Sequence, residues 1–254
     1  MLQLEQVSKN FGGLPALSEV SFRIPQGEIV ALIGPNGAGK TTLINCITGV
    51  LTATSGRINF RGQSIEAQQP HQIARFGIAR TFQNLKLFPR LTVLENVLTG
   101  LTCEGGDSML MAMLRFPYLR HRERQLKLRA LEALDRFGLA GKANWPAAVL
   151  AYGDRKRVEL ARATVGRPDL VLLDEPVAGL NTEETADVAE QLKRLRSAGH
   201  TLLLVEHDMD LVMTVADQVV VLDSGRCIAV GSPDEVRCNP LVLRAYLGQM
   251  EATS

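Results

Sequence analysis

Four short apolar runs set the kind of fold open to this chain: "EIVALIG" at 28–34, "LVLLDEP" at 170–176, "TLLLVEH" at 201–207 and "QVVVLDSG" at 218–225. Each is bounded by turn residues and lacks a polar face, the pattern of a strand buried on both sides in a parallel sheet. Such a sheet needs helices over it. The stretch "EETADVAEQLKRLRSAG" (183–199) supplies one, with Val188, Leu192 and Leu195 sharing a face and Gly199 placed to stop it. Strand alternating with helix makes an α/β core.

Two regions depart from that rhythm. At the start, "LQLEQVSKNF", "ALSEVSFRI" and "GRINFRG" alternate apolar and polar residues between short turns, which predicts an antiparallel sheet. The middle, about 86–165, reads as helical, and Leu126, Ala130, Leu134 and Phe137 form one apolar stripe in it. There is no internal repeat or low-complexity tract. The expectation is one composite domain with a helical insertion.

Composition narrows the function. A chain of 254 residues with 46% hydrophobic and 22% charged residues can bury a real core. Its net charge of +1 creates no whole-protein field for nucleic acid or anionic lipid, and the basic run Arg120–Arg124 reads as a solvated helix face. Cys46, Cys103, Cys227 and Cys238 lie far apart with no CxxC pair, which argues against a zinc site or disulfide scaffold and suits a reducing compartment. The start "MLQLEQVSKNFGG" lacks the features of a signal peptide. No apolar run approaches the ~18–20 residues that span a bilayer, so a membrane role would need a partner chain.

The chemistry begins at "GPNGAGKTT" (34–42), with GxxxxGK[ST] spacing after a strand and before the helical pattern "TTLINCITG". Glycines Gly34, Gly37 and Gly39, with Asn36 and Ala38 between them, let the backbone curl so that its amides face phosphate oxygens. Lys40 would reach the β- and γ-phosphates, the Thr41 hydroxyl would hold Mg²⁺, and Thr42 continues the helix N-terminus, whose dipole favours the anion. "LVLLDEP" then delivers Asp174 to the end of a buried strand, where it can hold the magnesium shell. Its neighbour Glu175 points differently and can polarise a water as general base. Carboxylates beside a phosphate loop and magnesium make hydrolysis of a nucleoside triphosphate the natural reaction. His207 ends another strand, where α/β sites form, and can hydrogen-bond a γ-phosphate; a structural histidine is the plain alternative. Gln83, in "RTFQN", reads either as a contact to the metal or water, or as an ordinary loop glutamine.

Taken in order, "GPNGAGKT", "TFQN", "LAYGD", "LVLLDEP", "AGLN" and "EH" resemble the ATP-binding subunits of ABC transporters over about residues 2–248. A P-loop kinase or a GTPase lacks this downstream series, and the guanine-reading NKxD is absent. The resemblance implies an α/β P-loop NTPase (RecA-like) core with an N-terminal antiparallel β-subdomain and an inserted α-helical subdomain. In a single domain of 1–248, the core and β-subdomain would take about 1–85 and 166–235, the helical subdomain about 86–165, and a C-terminal helix about 236–248, leaving 249–254 as a tail.

The same resemblance implies site roles. Phe11 would stack on adenine (its alternative is a core phenylalanine), and Gln83 would couple magnesium to the transmembrane partner. Glu175 would be the catalytic base, His207 the switch histidine, and Ala178–Asn181 the loop passing between two ATPase subunits. "LAYGD" would be the signature loop, which acts on the ATP held by the opposite subunit's phosphate loop. The usual signature is LSGGQ; here Ala151 replaces the serine, Tyr152 the first glycine and Asp154 the glutamine. Losing the hydroxyl removes one phosphate hydrogen bond, a net ~0.5–1.5 kcal/mol. Gly153 and the first helix amides remain, and Asp154 is expected to face away from phosphate.

"LAYGDRKRVELARA", "LDEPVAGLN", "LVEHDMDLVM", the ending "RAYLG" and the insertion at 105–125 look most like the branched-chain amino acid uptake branch. That implies ATP and Mg²⁺ as ligands, two permease subunits, a second ATPase subunit (different or identical), an extracytoplasmic solute-binding protein acting indirectly, and no nucleic acid. It also implies a peripheral place on the cytoplasmic face of the inner membrane. Met109, Met111 and Met113 read as local packing or as an adaptable surface for a permease helix. Alternatives within the family are importers of urea or amides and lipopolysaccharide exporters. From other classes come a soluble ABC protein acting on ribosomes or nucleic acid, which usually has two cassettes or long arms, and a non-catalytic nucleotide-gated subunit, disfavoured by Lys40, Asp174, Glu175 and His207.

Overall fold

The computed structural model describes residues 1–81, 85–104 and 117–251. Strands β1 (Leu2–Phe11), β2 (Leu14–Ile24) and β3 (Ile29–Ile33) lead to helix α1 (Lys40–Ile47), then β4 (Ser55–Phe60), β5 (Gln63–Ser64), α2 (Pro70–Arg75) and β6 (Ile78–Arg80). Helices α3 (Val93–Leu98), α4 (Pro117–Arg136) and α5 (Tyr152–Thr164) precede β7 (Leu170–Asp174), α6 (Thr182–Ser197) and β8 (Thr201–Val205). The chain closes with α7 (Met209–Val215), β9 (Gln218–Asp223), β10 (Arg226–Gly231), α8 (Pro233–Arg237) and α9 (Pro240–Glu251).

Two compact units result: Met1–Arg80 with Asp169–Glu175 and Ala189–Ser254, and Thr81–Pro168 with Pro176–Val188. In the first unit, β2-β1-β4-β5 form an antiparallel sheet, and a second sheet has the order β10-β9-β3-β8-β7-β6. Its strands from β9 to β6 are parallel, as the apolar runs predict, and β10 adds antiparallel to β9. Every residue of β3, β7 and β8 is buried because both faces are covered. Alternation divides β3 between two cores. Val30 and Leu32 join Leu43, Ile44 and Ile47 of α1 and Leu2, Leu4, Ile58 and Phe60 of the antiparallel sheet. Ala31 and Ile33 face the other way, onto Val212 of α7, Val236 of α8 and Val242 of α9.

In the second unit, the predicted stripe buries Ala130 and Leu134 on α4 and Phe137 in the turn just after it, with Leu126 half-buried. Helix α3 starts in a capping box: the Glu95 amide donates to the Thr92 hydroxyl (3.1 Å), and the Thr92 amide donates back to the Glu95 carboxylate (2.8 Å). Gly100 lies so close to the Arg162 carbonyl of α5 that a Cβ would stand 2.2 Å from it.

Candidate functional site: a phosphate loop beside paired carboxylates

The loop after β3 owes its path to two glycines that accept no substitute. A Cβ on Gly34 would lie 2.1 Å from the Leu222 carbonyl oxygen at the end of β9. Gly39 sits at φ 100, caps α1, and would bring a Cβ within 2.8 Å of the Ala16 carbonyl of β2. Between them Asn36 and Gly37 are exposed, and Ala38 is buried with its amide donating to the Pro35 carbonyl (3.2 Å). Helix α1 opens at Lys40, so the amides of Gly39, Lys40, Thr41 and Thr42 have no acceptor one turn earlier and stand at the positive end of the helix. Thr41 is exposed and Thr42 half-buried.

Lys40 turns its ammonium into the loop, donating to the carbonyls of Gly34 (2.5 Å) and Pro35 (2.9 Å). Burial pulls its pKa below the ordinary lysine value, and the negative charges of Glu175 and Asp174 pull against that. Both carboxylates therefore act on this one cation.

Strand β7 ends at Asp174, buried and paired in parallel register with Val205 of β8. The next residue, Glu175, lies at φ 49, and its amide donates to the Val205 carbonyl (2.9 Å). That left-handed turn costs about 1 kcal/mol in a non-glycine residue, and it sends the Glu175 side chain off in a different direction from that of Asp174. The Glu175 Oε1 lies 3.8 Å from Nδ1 of His207, which stands two residues past the end of the neighbouring strand β8 rather than in it. His207 also has Glu206 Oε2 at 3.9 Å and donates its own amide to that fully buried carboxylate (3.1 Å). At the end of β1, Phe11 is exposed, with the Lys9 ammonium 5.2 Å from its ring centre. The phosphate loop, Asp174, Glu175, His207 and Phe11 all belong to the first unit.

Sequence reasoning missed Arg80. From β6 its guanidinium donates to Asp174 Oδ2 (3.0 Å), to Asn45 Oδ1 (2.7 Å) on α1 and to Thr48 Oγ1 (3.3 Å) at the C-cap of that helix. No motif spacing marks an arginine in "GIARTF"; only the pairing of β6 with β7 brings it to the carboxylate.

The stretch "LAYGD" lies in the second unit. Ala151 is the N-cap of α5 and offers no side-chain acceptor. Arg155 fastens the approach by donating to the carbonyls of Leu150 (2.9 Å) and Ala148 (3.0 Å). Asp154 is buried between Lys142 and Arg157, the latter at 3.2 Å. Tyr152 donates its hydroxyl to the Ala178 carbonyl (3.2 Å), tying the start of α5 to the loop at 178–181. Gln83 and Met109, Met111 and Met113 lie outside the described residues.

Among the described residues no group of three or more His, Cys, Asp or Glu could hold a metal by itself. The donors that the sequence pattern singles out are hard oxygens: the Thr41 hydroxyl on α1 and the Asp174 carboxylate at the end of β7. That set suits Mg²⁺, which keeps waters and takes phosphate oxygens to complete its octahedron.

The family model for ABC transporters matches residues 17–178, and one described as branched-chain amino acid ATP-binding cassette transporter matches 226–252. The high-affinity branched-chain amino acid transport ATP-binding protein LivG of Salmonella typhimurium is 44% identical over 250 residues, covering 98% of each chain. BraF of Pseudomonas aeruginosa, of the same description, is 41% identical over 250 residues with the same coverage. Among solved structures, the ADP conformation of an ATP-binding cassette of an ABC transporter superposes with a TM-score of 0.85 at 34% identity, covering 98% of both chains. A nucleotide-free cassette gives 0.84 at 33%, covering 97% of this chain and 98% of that one. A phosphate loop on a parallel sheet, an antiparallel sheet packed against that core, and likeness along nearly the whole length converge on one conclusion: the chain belongs to the ABC transporter family, as one of its ATP-binding cassette ATPases.

Proposed function

We propose that this ATPase powers a membrane importer of branched-chain amino acids. Full-length similarity to proteins named for that transport carries the reading, and the match at 226–252, outside the general cassette region, supports it. No helix among the described residues is long and apolar enough to cross a membrane. On this reading the chain works peripherally, on the cytoplasmic face of the inner membrane, beneath two permease subunits and beside a second ATPase subunit. An extracytoplasmic binding protein delivers solute on the far side.

In the cycle, Phe11 stacks on adenine while the amides from Gly37 to Thr42 hold the phosphates. Lys40 leaves the loop carbonyls for the β- and γ-phosphate oxygens. Thr41 and Asp174 would hold Mg²⁺, joined by Gln83. Bound there, Mg²⁺ would supply positive charge to offset that of the phosphate oxygens. Glu175 accepts a proton from the attacking water, and His207, near its carboxylate, hydrogen-bonds the γ-phosphate. Ala151 and Gly153 offer backbone amides to the ATP held by the neighbouring ATPase, so ATP joins the two subunits and hydrolysis releases them.

The test is the purified complex in liposomes. Leucine-loaded binding protein should stimulate ATP hydrolysis severalfold, and Glu175→Gln should keep ATP binding while cutting turnover at least about 100-fold, as loss of a general base does. Stimulation by urea or an amide in place of leucine would refute the solute assignment. Undiminished turnover in the variant would refute the base.

A further inference from the structure

Arg80 sits on the edge strand β6, paired in register with Leu172 of β7, two residues before Asp174. Its guanidinium and the Asp174 carboxylate are both nearly excluded from water, with side-chain exposures of 12% and 9%. The other end of the fork is held by α1. Asn45 accepts at 2.7 Å, and the Thr48 hydroxyl gives its proton to the Ile44 carbonyl (2.8 Å), which leaves its oxygen turned to accept from Arg80 (3.3 Å). Helix α1 begins with Lys40 and Thr41.

We propose that Arg80 is a positioning residue for magnesium–nucleotide binding. It locks the Asp174 carboxylate, in one orientation, to the same helix that carries Lys40 and Thr41. A buried ion pair contributes little net stability compared with well-packed apolar residues, because desolvation offsets the attraction. What a planar, multiply bonded guanidinium provides is geometry. Here it fixes the separation of two oxygen donors, the Asp174 carboxylate at the end of β7 and the Thr41 hydroxyl on α1. Octahedral Mg²⁺ tolerates little error in that separation. The inference rests on reading Asp174 as a magnesium ligand.

The experiment measures ATP affinity of the full-length chain by equilibrium binding, once in excess Mg²⁺ and once in EDTA, and takes the ratio. Asp174→Asn should abolish most of the Mg²⁺-dependent gain. Arg80→Ala should lose about tenfold of it, and Arg80→Lys and Asn45→Ala about threefold each, through a loosened carboxylate rather than a lost ligand. Affinity in EDTA should stay within about twofold of wild type in the Arg80 and Asn45 variants, since phosphate contacts by the loop are untouched. If Arg80→Ala does not fold, Arg80→Lys and Asn45→Ala decide the matter. An unchanged ratio in those two, or equal losses with and without Mg²⁺, overturns the positioning role. Should Asp174→Asn itself leave the ratio unchanged, the reading of Asp174 falls, and the inference with it.

Discussion

Ala151 shows how much one missing hydroxyl changes. It caps α5 without a side-chain acceptor, where serine would typically add about 1 kcal/mol to the helix start. Ala151→Ser should therefore raise the stability of the chain to denaturant by about 0.5–1 kcal/mol. It should alter ATP affinity or turnover less than tenfold, because a single added phosphate hydrogen bond contributes a net ~0.5–1.5 kcal/mol. Denaturant titration and ATPase assays read the two effects separately, and a larger change in turnover would mean that the backbone amides alone do not hold the phosphate. Residues of this kind are legible in sequence because fixed spacing marks them, as it marks Gly34, Lys40, Asp174 and Glu175. Arg80 and the buried Glu206 are not. An arginine before "TF" acquires meaning only when strand pairing places it beside Asp174, and a glutamate before histidine only when its burial is seen.

The start of α5 and the loop at 178–181 form one knitted element in the second unit. The Tyr152 hydroxyl bonds the Ala178 carbonyl, and a Cβ on Gly179, at φ 79, would stand 3.2 Å from the Tyr152 ring. Gly153 leaves no room either, since its Cβ would fall 2.5 Å from the Glu184 carboxylate. Glu184 is held in turn by reciprocal bonds with Asn181, at 2.9 and 3.1 Å. Gly179→Ala should cost about 1–2 kcal/mol from the left-handed backbone, plus the crowding of the ring. Tyr152→Ala in that background should recover the crowding part alone. A double-mutant cycle by denaturant unfolding checks this, and simple additivity would disprove the contact.

Long apolar strands and the periodic helices were open to reading at this scale. Strand β6 was not: three residues carry no period, and it exists because β7 is there to pair with. Strand β10 was hidden by its turn. Ser224 and Gly225 both have positive φ, 46 and 76, as a two-residue hairpin requires, but "DSG" is a weaker signal than Asn-Gly.

At the scale of the molecule, the phosphate loop and its carboxylates belong to one compact unit and Ala151–Gly153 to the other. If each ATP is shared by the loop of one chain and the signature of its neighbour, damage to the two sets of residues must complement in trans. Lys40→Ala removes the phosphate cation. Gly153→Asp puts a carboxylate where amides should face ATP, and its added side chain would meet Glu184 as well. Homodimers of either variant have two dead sites. A mixed dimer has one site with both defects and one with neither. Equal mixing makes half the dimers mixed, so the pool should recover about a quarter of the wild-type rate if sites act independently. The assay belongs at concentrations where the Glu175→Gln chain forms ATP-dependent dimers, so that pairing itself does not limit the rate. A mixture no more active than its separate components would place loop and signature in the same chain's site and remove the basis for ATP-driven pairing.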